Sequence, residues 1–190
     1  MAAIRPSLMR GTSVGCLLVL GAMALGCSGG GRYGYARTYS PLDAEEPWVE
    51  RANNDAVYDE VRRMPDQFQG QTVSFFGVVT AVQSTREGYR VALQVRTHQD
   101  RHLCQDETAG SCRVTVSERD GGPFTALLSL RPEDVTGENR VQVYSLLRVF
   151  GGVVQGQYDE QGGPILRGEF YRHWPRGEYV TTGAASAMRR

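Results

Sequence analysis

Lysine is missing from this chain. All 21 basic side chains apart from the three histidines are arginine, and 21 acidic ones balance them. Arginine and lysine share the simple surface roles, though not the bidentate ones, so this bias reads as base composition. It does exclude a P-loop, which needs its lysine. Gly151-Gly152 and Gly162-Gly163 therefore read as a bulge and a turn. A domain that finds nucleic acid by electrostatics carries a basic excess, and none exists here. The Gly-x-Ser-x-Gly pattern occurs only at Gly11–Gly15 and Gly26–Gly30, within the first 30 residues, and no such elbow or paired-carboxylate motif accompanies His173. Long apolar runs are scarce. The one at Val14–Leu25 covers about a dozen residues, short of the roughly 20 that span a bilayer comfortably.

That run has the setting of a secretory signal. Arg5 and Arg10 precede it, and the small residue Gly26 follows. An ordinary secretory signal or a single-span anchor would explain this much. Ala24-Leu25-Gly26-Cys27 resembles the lipobox of bacterial lipoproteins, although that pattern prefers a branched apolar residue where Ala24 stands. The resemblance implies removal of residues 1–26. It also implies lipidation of Cys27 by a thioether-linked diacylglycerol and an amide-linked acyl chain. Several acyl chains anchor stably where one anchors marginally. Ser28, in place of aspartate, points by the sorting pattern of many such proteins to the outer membrane. Arg5 and Arg10 are the only charges in the leader, so the remainder has 19 basic and 21 acidic residues.

Residues 27–190 are one domain's worth of chain. Of the four cysteines, Cys16 leaves with the leader, and Cys104 and Cys112 stand C-x7-C. Beyond the inner membrane the setting is oxidising, so a disulfide is expected. A loop this short stabilises by roughly 2.5 kcal/mol in the chain-entropy model. His98-x3-His102-x-Cys104, with Cys112 beyond, has the residue types of a zinc site. The histidine spacing would align the rings only on a helix, and His98–Ser111 reads as an irregular polar loop. A disulfide with solvated histidines is the expectation, and no cofactor is assigned. His173, beside Trp174 and Pro175, lacks an accompanying nucleophile motif and reads as a cap on the end of the fold.

The rest divides into a flexible tether over 27–46, a folded body over 47–176 and a frayed tail over 177–190. Asn54 to Met64 is expected to be helical. Asn54 would cap it, Val57, Val61 and Met64 would share one face, and Pro65 would stop it. Trp48 would pack over the body or begin an earlier turn. Strands follow. Gln71–Gln83 is apolar on both faces with Gly77 inside, the pattern of a bulged strand shared between two halves of a barrel. Tyr89–Arg96 alternates cleanly, Val114–Val116 is short, and Phe124 to Leu130 alternates again. Val141–Tyr158 is long and interrupted by glycines. Pro164–Trp174 closes the fold with Leu166, Phe170 and Trp174 on one face. The expected class is mainly β: a small OB-like barrel of five to six strands with a short N-terminal helix. A small sandwich is the alternative.

Two stretches carry a further resemblance. Val61-x3-Pro65-x2-Phe68-x-Gly70-x2-Val73-x3-Gly77-Val78-Val79 looks like the helix and turn that lead into the first strand of OB-fold envelope proteins. Gly163-Pro164-Ile165-Leu166 through Tyr171-x-His173-Trp174-Pro175 is similar to the C-terminal region of the Slp family of outer-membrane lipoproteins. The disulfide-closed insertion and Phe75-Phe76-Gly77 depart from that family's pattern. The resemblance implies place and fold more than activity. The lipobox, the tether and the missing catalytic motif lead to the expectation of a non-enzymatic envelope lipoprotein, anchored through Cys27, that binds a protein or glycan partner or supports the outer membrane. The compartment and near-neutral charge speak against nucleic acid. Tyr89, Tyr144 and Tyr171 could stack on sugars, or simply pack. The alternative is an enzyme or metal-binding protein using the region of His98, His102 and His173.

Overall fold

A computed structural model describes residues 37–188 apart from Glu107. The leader, Cys16, Cys27 and the first half of the expected tether, 27–36, lie outside these residues. The chain is mainly β, with short helices. Five strands form a ring: β2 (Thr72–Thr85), β3 (Gly88–Val95), β6 (Pro123–Leu128), β8 (Pro164–Trp174) and β7 (Leu146–Tyr158), in that spatial order, with β7 returning to β2. All pairs are antiparallel except β6–β8.

β2 earns its length by serving two partners. Thr72–Val78 pairs with β7, and Gly77–Thr85 pairs with β3. Its inward residues Val73, Phe75 and Val79 join Val91, Leu93, Phe124, Ala126, Val149, Leu166 and Tyr171 in the main core. Gly77 is not the bulge, which falls between Val79 and Ala81. Gly77 instead makes room for Phe124 and Leu93. A Cβ there would stand 2.9 Å from Leu93 Cβ and 2.9 Å from Phe124 Cζ. Gly151 does mark an irregularity, where the β7–β8 register slips. A Cβ on Gly151 would fall 2.8 Å from the Arg167 carbonyl carbon and 2.9 Å from Gly168 Cα. Backbone cannot swing aside as a side chain can, so Gly151→Ala is expected to cost about 3 kcal/mol. Urea unfolding reads this as a lowered midpoint at unchanged m-value.

The N-terminal helical region differs from the sequence expectation. Helix α1 (Glu46–Arg51) comes first and carries Trp48, whose ring stacks on Phe170. Asn54 caps nothing in the second helix. The Asn53 side chain takes the Asp55 amide, and α2 begins only at Tyr58, running to Arg63. The buried residues are accordingly Tyr58, Val61, Pro65 and Phe68, while Val57 and Met64 are exposed. Tyr58, Val61 and Phe68 pack into the main core, and the Tyr58 hydroxyl donates to the Pro123 carbonyl at 2.6 Å. In β8 the slip at Gly168 changes the side-chain parity. Leu166 and Tyr171 face the main core, whereas Trp174 belongs to a second cluster and Phe170 lies against Trp48.

That second cluster sits under a second sheet that alternation alone does not reveal. Its strands are β1 (Arg37–Thr38), β4 (Arg101–Cys104), β5 (Cys112–Val116) and β9 (Tyr179–Thr181). The expected loop over His98–Ser111 therefore contains a strand. The expected tail contains β9, paired in parallel with β5, and a 3-10 turn (Thr182–Ser186) that buries Ala185. The last ten residues of the expected tether, 37–46, are fastened to the body by β1 and by the buried Glu45. β7 begins at Leu146 rather than near Val141, and Val143 is exposed.

Candidate functional site

Cys104 and Cys112 stand directly opposite each other on β4 and β5 and are joined by a disulfide, with Cα atoms 3.9 Å apart. Both sulfurs are thereby withdrawn from metal binding as thiolates. No group of three or more His, Cys, Asp or Glu side chains able to hold a metal occurs among the described residues.

His98 and His102 are not solvated. The His98 ring stacks on Phe76 at 4.4 Å and meets Tyr39 edge-on at 4.8 Å, and the two histidine rings lie 6.2 Å apart. The Nε2 atoms of both are buried, with no hydrogen-bond partner among the described residues. Burial pushes His98 down to about 4, helped by His102 and Arg148. Burial, then the charge of Arg172, also lowers His102. Both imidazoles are therefore neutral and serve as packing between the second sheet and the ring.

Beside them lies a charge cluster. Phe76, Arg148 and Arg172 form a row across β2, β7 and β8, and the two arginines are direct cross-strand partners. Like charges so placed repel. Glu45, fully buried, sits between them with an oxygen 2.8 Å from each guanidinium, and the Tyr39 hydroxyl donates to the same carboxylate. Burial raises the Glu45 carboxyl, but hydrogen bonds from Tyr39 and Arg172 and the charges of both arginines outweigh it, so the group stays below its ordinary range.

His173 does not join the other two histidines. Its Nδ1 lies 2.7 Å from Asp134 Oδ1 and its Nε2 lies 3.1 Å from Ser145 Oγ. Asp134, on helix α3 (Pro132–Val135), also accepts from the Tyr171 hydroxyl at 2.6 Å and from Arg131 Nε at 2.8 Å. Burial raises Asp134 and those hydrogen bonds more than offset it, keeping it ionised. An ionised Asp134 can only accept, so His173 Nδ1–H donates to it, which leaves Nε2 to accept from the Ser145 hydroxyl. The order Ser–His–Asp is that of a nucleophile, base and orienting acid. Ser145, however, is fully buried, and its Oγ is occupied by the Gln142 amide at 3.2 Å. In this arrangement the three residues fasten the 131–145 connection onto β8.

No family model and no curated protein matches the chain. The reading of the site therefore rests on geometry.

Open clefts with mixed linings include one of about 390 Å³ beside Arg131, Arg172, His173 and Trp174, and one of about 180 Å³ on β2, β3 and β6, walled by the β7–β8 turn. In the latter, Thr80, Gln83, Arg90, Thr125, Asp159 and Gln161 offer donors and acceptors over Ala81, Ala92 and Pro123. The turn is rigid: Asp159 Oδ1 accepts the amides of Gln161 and Gly163, and Gln161 reaches the Gln94 side chain at 3.2 Å. Of the tyrosines considered for stacking, Tyr171 is buried and hydrogen-bonded, and Tyr89 packs against the core. Tyr144 is exposed, held at φ 71° beside Arg176. Sequence reasoning did not single out Glu45, Asp134 or Ser145. The one signal for Asp134 was its place after Pro132 in the first turn of a helix.

Proposed function

We propose that this chain is an outer-membrane lipoprotein, anchored through lipid on Cys27, whose OB-like body is a non-catalytic binding or structural module for an envelope protein or glycan. The observation that carries the reading is Ala24-Leu25-Gly26-Cys27 at the end of the apolar run Val14–Leu25. The Cys104–Cys112 disulfide agrees with an exported, oxidising setting. The likeness of both ends of the body to Slp-type lipoproteins points the same way.

The OB-like description is supported by the ring order, by the single parallel pair β6–β8, and by α3 between the third and fourth ring strands. OB barrels bind ligands across the face of the second and third strands and adjoining loops. Here that face holds the cleft bounded by Arg90, Thr125 and Asp159. This is an analogy of fold, and the polar lining of the cleft is what suits a glycan or peptide.

The test is Cys27→Ser. The wild type is expected to take up labelled fatty acid and to sediment with membranes, and the variant to do neither. A variant that stays with membranes, together with a wild type that incorporates no label, would overturn the proposal.

A second reading, an acyl-transfer enzyme with Ser145 as nucleophile, has the distances to His173 and Asp134 in its favour and the burial of Ser145 against it. A fluorophosphonate probe is expected to leave the chain unlabelled. Label on Ser145 that is lost in His173→Ala would establish the enzyme instead.

A further inference from the structure

Among the described residues, the far half of β2 has one unpaired edge. Pairing with β7 ends at Val78, and the 131–145 connection covers Val79 through the bonds Val79 N–H to Ser145 O and Tyr144 N–H to Val79 O. From Thr80 to Thr85 the strand pairs with β3 alone, and all six residues are exposed.

Natural proteins blunt such edges with charge, proline or a bulge. Thr80-Ala81-Val82-Gln83-Ser84-Thr85 contains no charge and no proline, in a chain that is 22% charged. The bulge falls at the first residue of this stretch, Thr80, between Val79 and Ala81, and leaves Ala81–Thr85 regular. Beyond it, pairing with β3 is regular to the tip at Thr85–Gly88. The comparable extension of β7, Val153–Tyr158, is broken by a register irregularity and by Gly156 at φ 66°.

We infer that this edge pairs with the same edge of a second copy, giving an antiparallel two-fold dimer. In such a pair one residue must face itself across the axis. Centring on Val82 sets Val82 against Val82 and Ala81 against Gln83 within the regular part of the strand. Every pair is then apolar or neutral, and no like charges oppose each other. The edge is thus complementary to itself. Another protein's strand would find no charge on it to read.

The experiment uses the full-length chain in membranes and in detergent. Val82→Cys is expected to yield a disulfide-linked dimer that reductant dissolves, because position 82 meets itself. Leu42→Cys and Val57→Cys, at sites 53% and 55% exposed, are expected to stay monomeric. Sedimentation should show a dimer for the wild type. Val82→Arg, which places two guanidiniums face to face, should weaken it at least tenfold at an unchanged unfolding midpoint. A monomeric wild type, a Val82→Arg dimer of full strength, or equal crosslinking at all three cysteine positions would overturn the inference.

Discussion

Glu45→Gln is expected to destabilise the body by about 3–5 kcal/mol, the range for breaking a buried ion pair by removing one partner. The reason lies in the row across β7 and β8. Arg148 and Arg172 are direct cross-strand partners, and the Glu45 carboxylate satisfies one guanidinium with each oxygen. Glutamine keeps the shape but removes the charge, leaving two poorly solvated cations to repel each other. It also deprives the Tyr39 hydroxyl of its charged acceptor. Denaturant unfolding measures the loss, and exposed Glu46→Gln serves as a control expected to stay within about 0.5 kcal/mol. If Glu45→Gln is as mild as Glu46→Gln, the carboxylate does not hold this surface together. In a double variant with Arg172→Met, part of the loss should return, because one of the stranded charges has been removed.

Acid should weaken the protein well before its carboxylates titrate. His98 has an ordinary value of 6.5, and burial pushes it down to about 4 in the folded chain. Between these values the unfolded chain holds a proton that the folded chain refuses, so stability is complete above about pH 6.5 and falls as pH drops toward 4. At about 1.4 kcal/mol per pH unit, His98 alone accounts for about 3 kcal/mol. His102 and His173 are also lowered, each by burial first, and act in the same direction. Glu45 and Asp134 are held below their ordinary values, so their contribution is present above the carboxylate range and is lost as pH falls through and below it. Unfolding free energies at pH 7.5 and 4.5 measure the decline. His98→Phe preserves the stack on Phe76 and removes the titration, so it should flatten the slope between pH 6.5 and 4. An unchanged slope would show that His98 is not the responsible group.

The ring was readable because each of its strands is long enough to express a period. Tyr89–Arg96 alternates, Pro164–Trp174 is bounded by proline at both ends, and β2 advertised its two-sided role by being apolar on both faces. The second sheet was not readable for the same reason. β1 and β9 span two and three residues, too few for alternation, and β9 pairs with β5 across more than 60 positions of sequence. Tyr39, Glu45, Asp134 and Ser145 each look ordinary locally. Their roles exist only once β7 and β8 bring Arg148, Arg172 and His173 alongside. The histidine pair shows the opposite error. Its polar neighbours in sequence predicted solvent, while Tyr39 and Phe76, both distant in sequence, bury it.

The attachment of residues 37–45 sets a mechanical geometry. In the proposed lipoprotein only residues 27–36 separate the lipid from the first fastened strand, a reach of at most about 36 Å at 3.3–3.6 Å per residue. The body of such a lipoprotein would stay within about 36 Å of its lipid. Any pull along that leash is delivered first to the two-residue pairing of β1 with β4 and then to Tyr39 and Glu45. In such a lipoprotein the buried carboxylate would also be the cleat to which the membrane line is tied. Loosening it would lengthen the leash and let the body move further from the bilayer before the ring itself opened.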